Sequence, residues 1–290
     1  MNKLKYLVLV GTFFTSLSSI FIRISNAPSL VISAYRMLFT ILMLFIPFVL
    51  KYRIELKNIK RQDFILCILS GIFLALHFAT WITSINMTTI ANSTILVSSS
   101  PIFVALANYV ILKEKFTSNM FIGIAMSLLG TTIITLGTAG GLSSSMMLGN
   151  FLAFMGAIFV AGYLVIGGIV RKNLNAGTYV FIVYTASTIV LFLICLLTDT
   201  PLYPYSLKEF VIFIALAFSC SILGHTVYNY LMKYISATLI SVSTLTEPIF
   251  SSALALIIFK EIPSMSTFIG GTIIISGVLY YITSQNKPQL

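Results

Sequence analysis

Hydrophobic positions along the chain fall into runs of about 20 residues separated by short polar connectors. In order, the runs predict helical spans at 6–24, 28–50, 64–85, 91–112, 118–136, 147–169, 178–197, 209–231, 238–259 and 264–284. A helix of that length crosses the roughly 30 Å hydrocarbon core of a bilayer. The longest polar interval, Lys51 to Asp63, is a connector and not a domain. The pattern therefore predicts an all-α polytopic membrane protein with ten transmembrane helices.

The runs also repeat. Ser98-Ser99-Ser100-Pro101-Ile102-Phe103 leads through an apolar stretch to Leu112-Lys113-Glu114, and Thr244-Leu245-Thr246-Glu247-Pro248-Ile249-Phe250 leads through another to Phe259-Lys260-Glu261. Pro101 and Pro248 stand 147 positions apart, as do Phe121/Phe268, Ile122/Ile269, Gly123/Gly270 and Gly130/Gly277. Self-similarity at one fixed offset marks a duplication, here into residues 1–145 and 146–290. Each half holds five spans, and an odd number forces the second half to enter the membrane inverted. Inverted repeats characterise many secondary transporters, whose solute site lies near the midplane between the halves.

Composition changes this picture little: 58% of residues are hydrophobic and 8% charged. The net charge of +10 resides in connectors, so it encodes orientation and does not point to nucleic acid. With the N-terminus inside, the cytoplasmic side collects Lys3, Lys5, Lys51, Arg53, Lys57, Lys60, Arg61, Lys113, Lys115, Arg171, Lys172, Lys233 and Lys287, against Arg23, Lys208 and Lys260 outside. Both termini are thus predicted to be cytoplasmic, in the cell membrane. Lys3 and Lys5 before an apolar run resemble a signal peptide, but the run is long enough to span and reads as a retained first helix. Cys67, Cys195 and Cys220 lie within apolar runs without CxxC spacing and read as core residues, with no metal or cofactor site. Gly137-Thr138-Ala139-Gly140-Gly141 lacks the spacing and the lysine of a phosphate loop.

The candidate chemistry lies inside the spans. Pro101 and Pro248 predict paired kinks in helices 4 and 9 that free carbonyls near Val97 and Thr244. Such kinks can be merely tolerated in a membrane helix, but paired interruptions in matching segments point to a transport site. Helix 4 presents Ser93, Ser100 and Asn108 on one broad face, and helix 9 presents Thr244, Glu247 and Ser251 at helical spacing. Helix 3 carries Ser70, Leu74, His77, Trp81, Ser84 and Thr88 at steps of four and three, and helix 8 answers with Ser221, His225, Tyr228 and Asn229. Trp81 and Tyr228 share the repeat offset, while His225 falls one position past the match to His77. The predicted lining of a cavity for a small amphipathic organic solute is His77, Trp81, Ser100, His225, Tyr228, Asn229, Thr244 and Glu247.

Two charges need partners. Arg36, about two turns into helix 2, has to find a carboxylate, a carbonyl or an anionic substrate; Glu247 is one candidate partner. Glu247 itself, near the midplane, reads either as a structural tie beside Pro248 or as a proton site, and it and Arg36 are the charge-coupling candidates. Arg23, below a Thr12, Ser16, Ser19 stripe, reads as a side chain snorkelling to the interface. The glycine pairs at 123/130 and 270/277 read as close helix packing.

Two five-helix halves, each with Pro-Ile-Phe, a small and apolar run, Lys-Glu, then Phe-Ile-Gly and a second glycine, resemble the EamA-type family of the drug/metabolite transporter superfamily. The likeness spans nearly the whole chain and is strongest at 90–137 and 237–284, with Thr-Glu-Pro-Ile-Phe and the Lys-Glu helix ends its most specific parts. The early helix-2 pattern from Pro28 to Tyr35-Arg36 resembles the family as well. Tyr184 stands near the second-half position expected for an arginine matching Arg36, a departure from paired charges. The resemblance implies ten helices, cytoplasmic termini, a cavity built by helices 3, 4, 8 and 9, and carriage of amino acids, related metabolites or drugs, commonly outward. The expected partners are a small-molecule substrate and the lipid bilayer, with the chain acting as a monomer or homodimer. A passive channel or sensor is the next reading; a membrane-embedded enzyme would need HExxH, paired aspartates or GxSxG, none of which the sequence contains.

Overall fold

The structure, a computed structural model, describes residues 2–112, 118–139 and 144–285. The expectations placed on Lys113, Glu114, Lys115, Gly140, Gly141 and Lys287 lie outside the described residues. The chain runs α1 (Asn2–Ile24), α2 (Ser29–Lys51), a short α3 (Arg53–Lys57), α4 (Arg61–Met87), α5 (Ile90–Val97), α6 (Ser100–Leu112), α7 (Ser118–Ala139), α8 (Ser144–Val170) and α9 (Ala176–Leu197). It continues with α10 (Leu207–Ala215), π-helical turns over Leu216–Thr226, α11 (Val227–Leu231), α12 (Ala237–Ser243), a 3-10 turn over Thr244–Thr246, α13 (Glu247–Phe259) and α14 (Met265–Gln285). The described residues form no strand. Among the described residues eight segments are long and apolar enough to cross a membrane, and α7 and α14 carry shorter apolar stretches, Phe121–Ile134 and Met265–Tyr280.

Polarity is distributed as lipid demands. Leu42, Phe45, Ile46, Leu129, Leu197 and Ile257 face outward, whereas Thr12, Ser16, Ser33, Arg36, Thr40, Ser70 and Asn92 are fully buried. Apolar side chains lose nothing by facing acyl chains, so it is the hydroxyls that turn inward, where most find a backbone or side-chain partner. Thr12 and Ser16 bond back to the carbonyls of Val8 and Thr12 at 3.1 and 2.7 Å, and Thr40 to Arg36 at 2.7 Å.

Packing pairs segments from the two halves. α4 lies against α8 and α9, α2 against α9, and α1 against the π turns and α13; α5 meets α13, α6 meets α12, and α7 meets α14. Glycine permits the closest approaches. A β-carbon on Gly71 would stand 2.6 Å from the Val183 carbonyl, and one on Gly130 would stand 2.5 Å from the Gly270 carbonyl.

The helices expected to kink at Pro101 and Pro248 are instead broken. The first break falls at Ser98-Ser99, and Pro101 is the second residue of α6; the second spans Thr244–Thr246, and Pro248 is the second residue of α13. A proline in the first turn lacks a donor that would be unpaired there in any case, so the helix starts afresh at the proline without the cost of an internal kink. The carbonyl of Thr244, expected to be free, accepts the Glu247 N–H. Both broken segments also start alike. Thr89 Oγ1 accepts from Asn92 N at 3.1 Å and Ser236 Oγ from Leu239 N at 3.2 Å, so each is an N-cap, and the two stand at the 147-residue offset.

Candidate functional site

The two breaks face a single cavity. Val97, Ser98 and Ser100 line it from the first break and Thr244 and Glu247 from the second; Thr15 and Ser18 come from α1, Arg36 from α2, His77 and Trp81 from α4, and Val160, Tyr163 and Leu164 from α8. His225 on the π turns and Tyr228 on α11 complete it. Its volume is about 50 Å³, room for roughly four waters at about 10–15 Å³ each.

Most of the side chains expected from the sequence meet here: His77, Trp81, Ser100, His225, Tyr228, Thr244, Glu247 and Arg36 share the cavity wall. Asn229 does not line it. That residue is fully buried behind the wall, accepting from Tyr163 OH at 2.8 Å and donating to Tyr184 OH at 3.2 Å. Its geometry positions Tyr163, a lining residue that α8 contributes and that sequence reasoning did not single out. Thr15 and Ser18 were missed as well, although hydroxyls crowd α1. The stripe singled out there, Thr12, Ser16 and Ser19, does not line the cavity; its hydroxyls donate to their own helix backbone.

His77 is held rigidly. Its Nδ1 lies 2.9 Å from the Gly156 carbonyl, which can only accept, so Nδ1 carries the hydrogen. The ring stacks on Trp81 at 5.7 Å with planes 7° apart, which covers one indole face. A β-carbon on Gly156 would reach 3.3 Å from Trp81 Cβ, so a glycine on α8 lets this pair sit close to the helix. His225 enters from the other half, edge-on to Phe78 at 5.4 Å and to Tyr228 at 6.0 Å. The π turns carry it there although it is one position out of step with the repeat; such turns commonly occur where a helix must re-aim a functional side chain.

Arg36 and Glu247 are not an ion pair. Arg36 Nε donates to Ser221 Oγ at 2.8 Å and Nη1 to Ser18 Oγ at 3.0 Å, with the guanidinium carbon 4.3 Å from the centre of the Phe78 ring. Glu247 Oε2 accepts from Thr15 Oγ1 at 3.4 Å, and Thr15 continues to Tyr228 OH at 3.2 Å, which donates to Thr12 Oγ1 at 2.9 Å. The expected pairing fails because serines on α1 and the π turns occupy the guanidinium first. A cation and an acid therefore share one small cavity without touching.

Arg23 does not snorkel. Its Nη2 donates to the carbonyls of Ile85 and Thr88 at 2.6 and 2.7 Å and lies 3.9 Å from Glu261 Oε2. Glu261 Oε1 in turn accepts from Ile90 N at 2.5 Å, at the start of α5. Lys260, in the left-handed region at φ 59°, makes the turn after α13 that brings Glu261 round. One latch thus ties α1, α4, α5 and α13, four segments that flank or line the cavity, at the Arg23 end of the bundle. The opposite end has its own tie, where Glu55 accepts from the backbone and side chain of Asn175 at 3.0 and 3.1 Å and from Thr178 Oγ1.

The model of the EamA-like transporter family matches residues 4–136 and again residues 147–283, which is nearly the whole chain. The chain belongs to the EamA-like transporter family. Membership makes it a multi-pass membrane transporter of small solutes and not an enzyme. It is 27% identical over 224 residues to an uncharacterized transporter of Archaeoglobus fulgidus, covering 76% of this chain and 75% of that one. It is 23% identical over 219 residues to the pseudopaline exporter CntI of Pseudomonas aeruginosa, covering 75% and 74%. A solved crystal structure at 14% identity superposes over 99% of both chains with a TM-score of 0.70, a likeness of fold.

Proposed function

We propose that the protein is a secondary transporter that moves a small organic solute, an amino acid, related metabolite or drug, across the cytoplasmic membrane by alternating access. The observation that carries this is the cavity itself, built where two helices break at matching positions and lined by polar groups from both halves. Export is the direction supported by the name of the Pseudomonas relative. At about 50 Å³ the cavity is too small for such a solute, so carriage requires the segments around it to part. Saturable flux into proteoliposomes that accelerates when the same solute is placed on the opposite side tests the reading. Flux that is linear in concentration and indifferent to counter-solute would mark a passive channel instead.

The same reading has ten spans in two inverted halves, residues 1–145 and 146–290, with both termini cytoplasmic. The packing supports it. Exchanging the halves turns the α1 contact with the π turns into the α8 contact with α4, and leaves α2 with α9, the two broken segments, and α7 with α14 each paired with its own counterpart. Single cysteines at Lys57 and Lys172 are expected to react with an impermeant thiol reagent from the cytoplasmic side, and cysteines at Ser144 and Asp199 from outside. Labelling of positions 57 and 144 from one side would end the inverted arrangement.

In this frame the Arg23 latch closes the outer end. Arg23→Ala removes two charge-assisted hydrogen bonds and is expected to favour the outward-open form by about 1–2 kcal/mol, roughly five- to thirty-fold. A cysteine at Ser98, in the cavity wall, reports this as faster modification from outside in the Arg23→Ala background. An unchanged rate would show that the latch does not gate.

A further inference from the structure

Three buried polar atoms on residues that line the cavity have no hydrogen-bond partner among the described residues: Arg36 Nη2, Trp81 Nε1 and His225 Nδ1. Their residues are 0%, 3% and 9% exposed. Two of the three groups can only donate, so neither can satisfy the other, and a shared partner has to be an acceptor. The rest of the guanidinium is committed to the hydroxyls of Ser18 and Ser221 and to the Phe78 face, all of them neutral. Among the described residues no carboxylate lies within 4.0 Å of it. A guanidinium stays charged, and a buried charge with neutral neighbours is costly, which leaves one unpartnered nitrogen and a full positive charge on a residue that lines the cavity.

We propose that Arg36 Nη2 and the indole Nε1 of Trp81 form an oxyanion subsite that takes a carboxylate of the carried solute. This rests on the cavity being the solute site. A carboxylate is small enough for the space present, offers two acceptor oxygens to two separate donors, and brings the charge that Arg36 lacks. It also divides the cavity. The solute's anionic end lies toward α2 and α4, and Glu247, on α13 and held by Thr15, faces the remainder.

Trp81 is the only tryptophan in the chain, so its fluorescence reports on the subsite directly. The purified full-length protein is titrated with acetate and, at the same sodium chloride concentration, with acetamide, the neutral molecule of nearly the same shape, exciting where tyrosine does not absorb. Acetate is expected to give a saturable change in emission and acetamide none. Arg36→Lys, which keeps the charge but loses the planar fork, is expected to weaken the response about ten-fold, and Arg36→Gln to remove it. The contrast between acetate and acetamide in the parent protein needs no variant and stands if a substitution prevents folding. Equal responses to the two probes, no saturable response to acetate, or a folded Arg36→Gln protein that still binds it would each overturn the subsite. Saturable counterflow of solutes without an oxyanion, with no acetate response, would remove the subsite and leave the transporter reading standing. An acetate response with no saturable counterflow of any solute would leave an anion site at Arg36 and Trp81 and overturn the transporter reading that makes it a solute subsite.

Discussion

A Glu247→Gln protein is expected to lose proton-driven accumulation of solute in proteoliposomes while still exchanging solute across the membrane. Glu247 opens α13 in the middle of the Ala237–Phe259 segment, where an acid costs on the order of 2.5–3.5 kcal/mol to insert. A structural explanation of that cost needs a permanent partner, and Arg36, the obvious one, donates to Ser18 and Ser221 instead. What Glu247 has is one hydroxyl at 3.4 Å and a place on the cavity wall. A carboxyl so placed can take up a proton in one conformation and release it in another, because its surroundings change when the cavity opens. Ser100 holds the matching position in the first half, so a proton site at Glu247 would be single and asymmetric. Glutamine keeps the shape and the hydrogen bond to Thr15 but cannot titrate. Accumulation by the Gln variant equal to that of the parent, under the same imposed pH gradient, would assign Glu247 to structure alone.

Trp81→Ala is expected to weaken solute affinity by about 1–3 kcal/mol, up to more than a hundred-fold. Trp81 is 3% exposed, stacks on His77, carries an unpartnered N–H and lines a cavity of about 50 Å³. Alanine removes ring and donor together and leaves His77 without its stacking partner. Trp81→Phe separates these effects, since it retains an aromatic body beside His77 and loses only the N–H. Affinity read from the half-saturation of counterflow is expected to fall in the order parent, Phe, Ala. A folded Trp81→Ala protein with unchanged half-saturation would remove Trp81 from the solute site.

The helical segments, the duplication and the places where helices would be interrupted were legible along the chain. Each depends on a local property: the run of apolar residues that lipid requires, the 147-residue offset, and the donor that Pro101 and Pro248 lack. Most of the cavity wall was legible for a related reason. His77 and Trp81 come one turn apart on α4, and a helix places such residues on one face whatever surrounds it; Thr244 and Glu247, three residues apart across the 3-10 turn, eclipse one another in the same way. Which face meets which was not legible, because it is decided between helices and not within one. Thus Asn229, one residue after Tyr228, turns behind the wall to hold Tyr163, and the π turns bring His225 into line despite its one-position offset. The partners of the charges follow the same logic. Serines from α1 and the π turns reach Arg36 before Glu247 can, and the left-handed turn at Lys260 carries Glu261 to Arg23 and the start of α5. A buried charge takes the acceptors that packing brings within about 3 Å, and only the assembled bundle determines which those are.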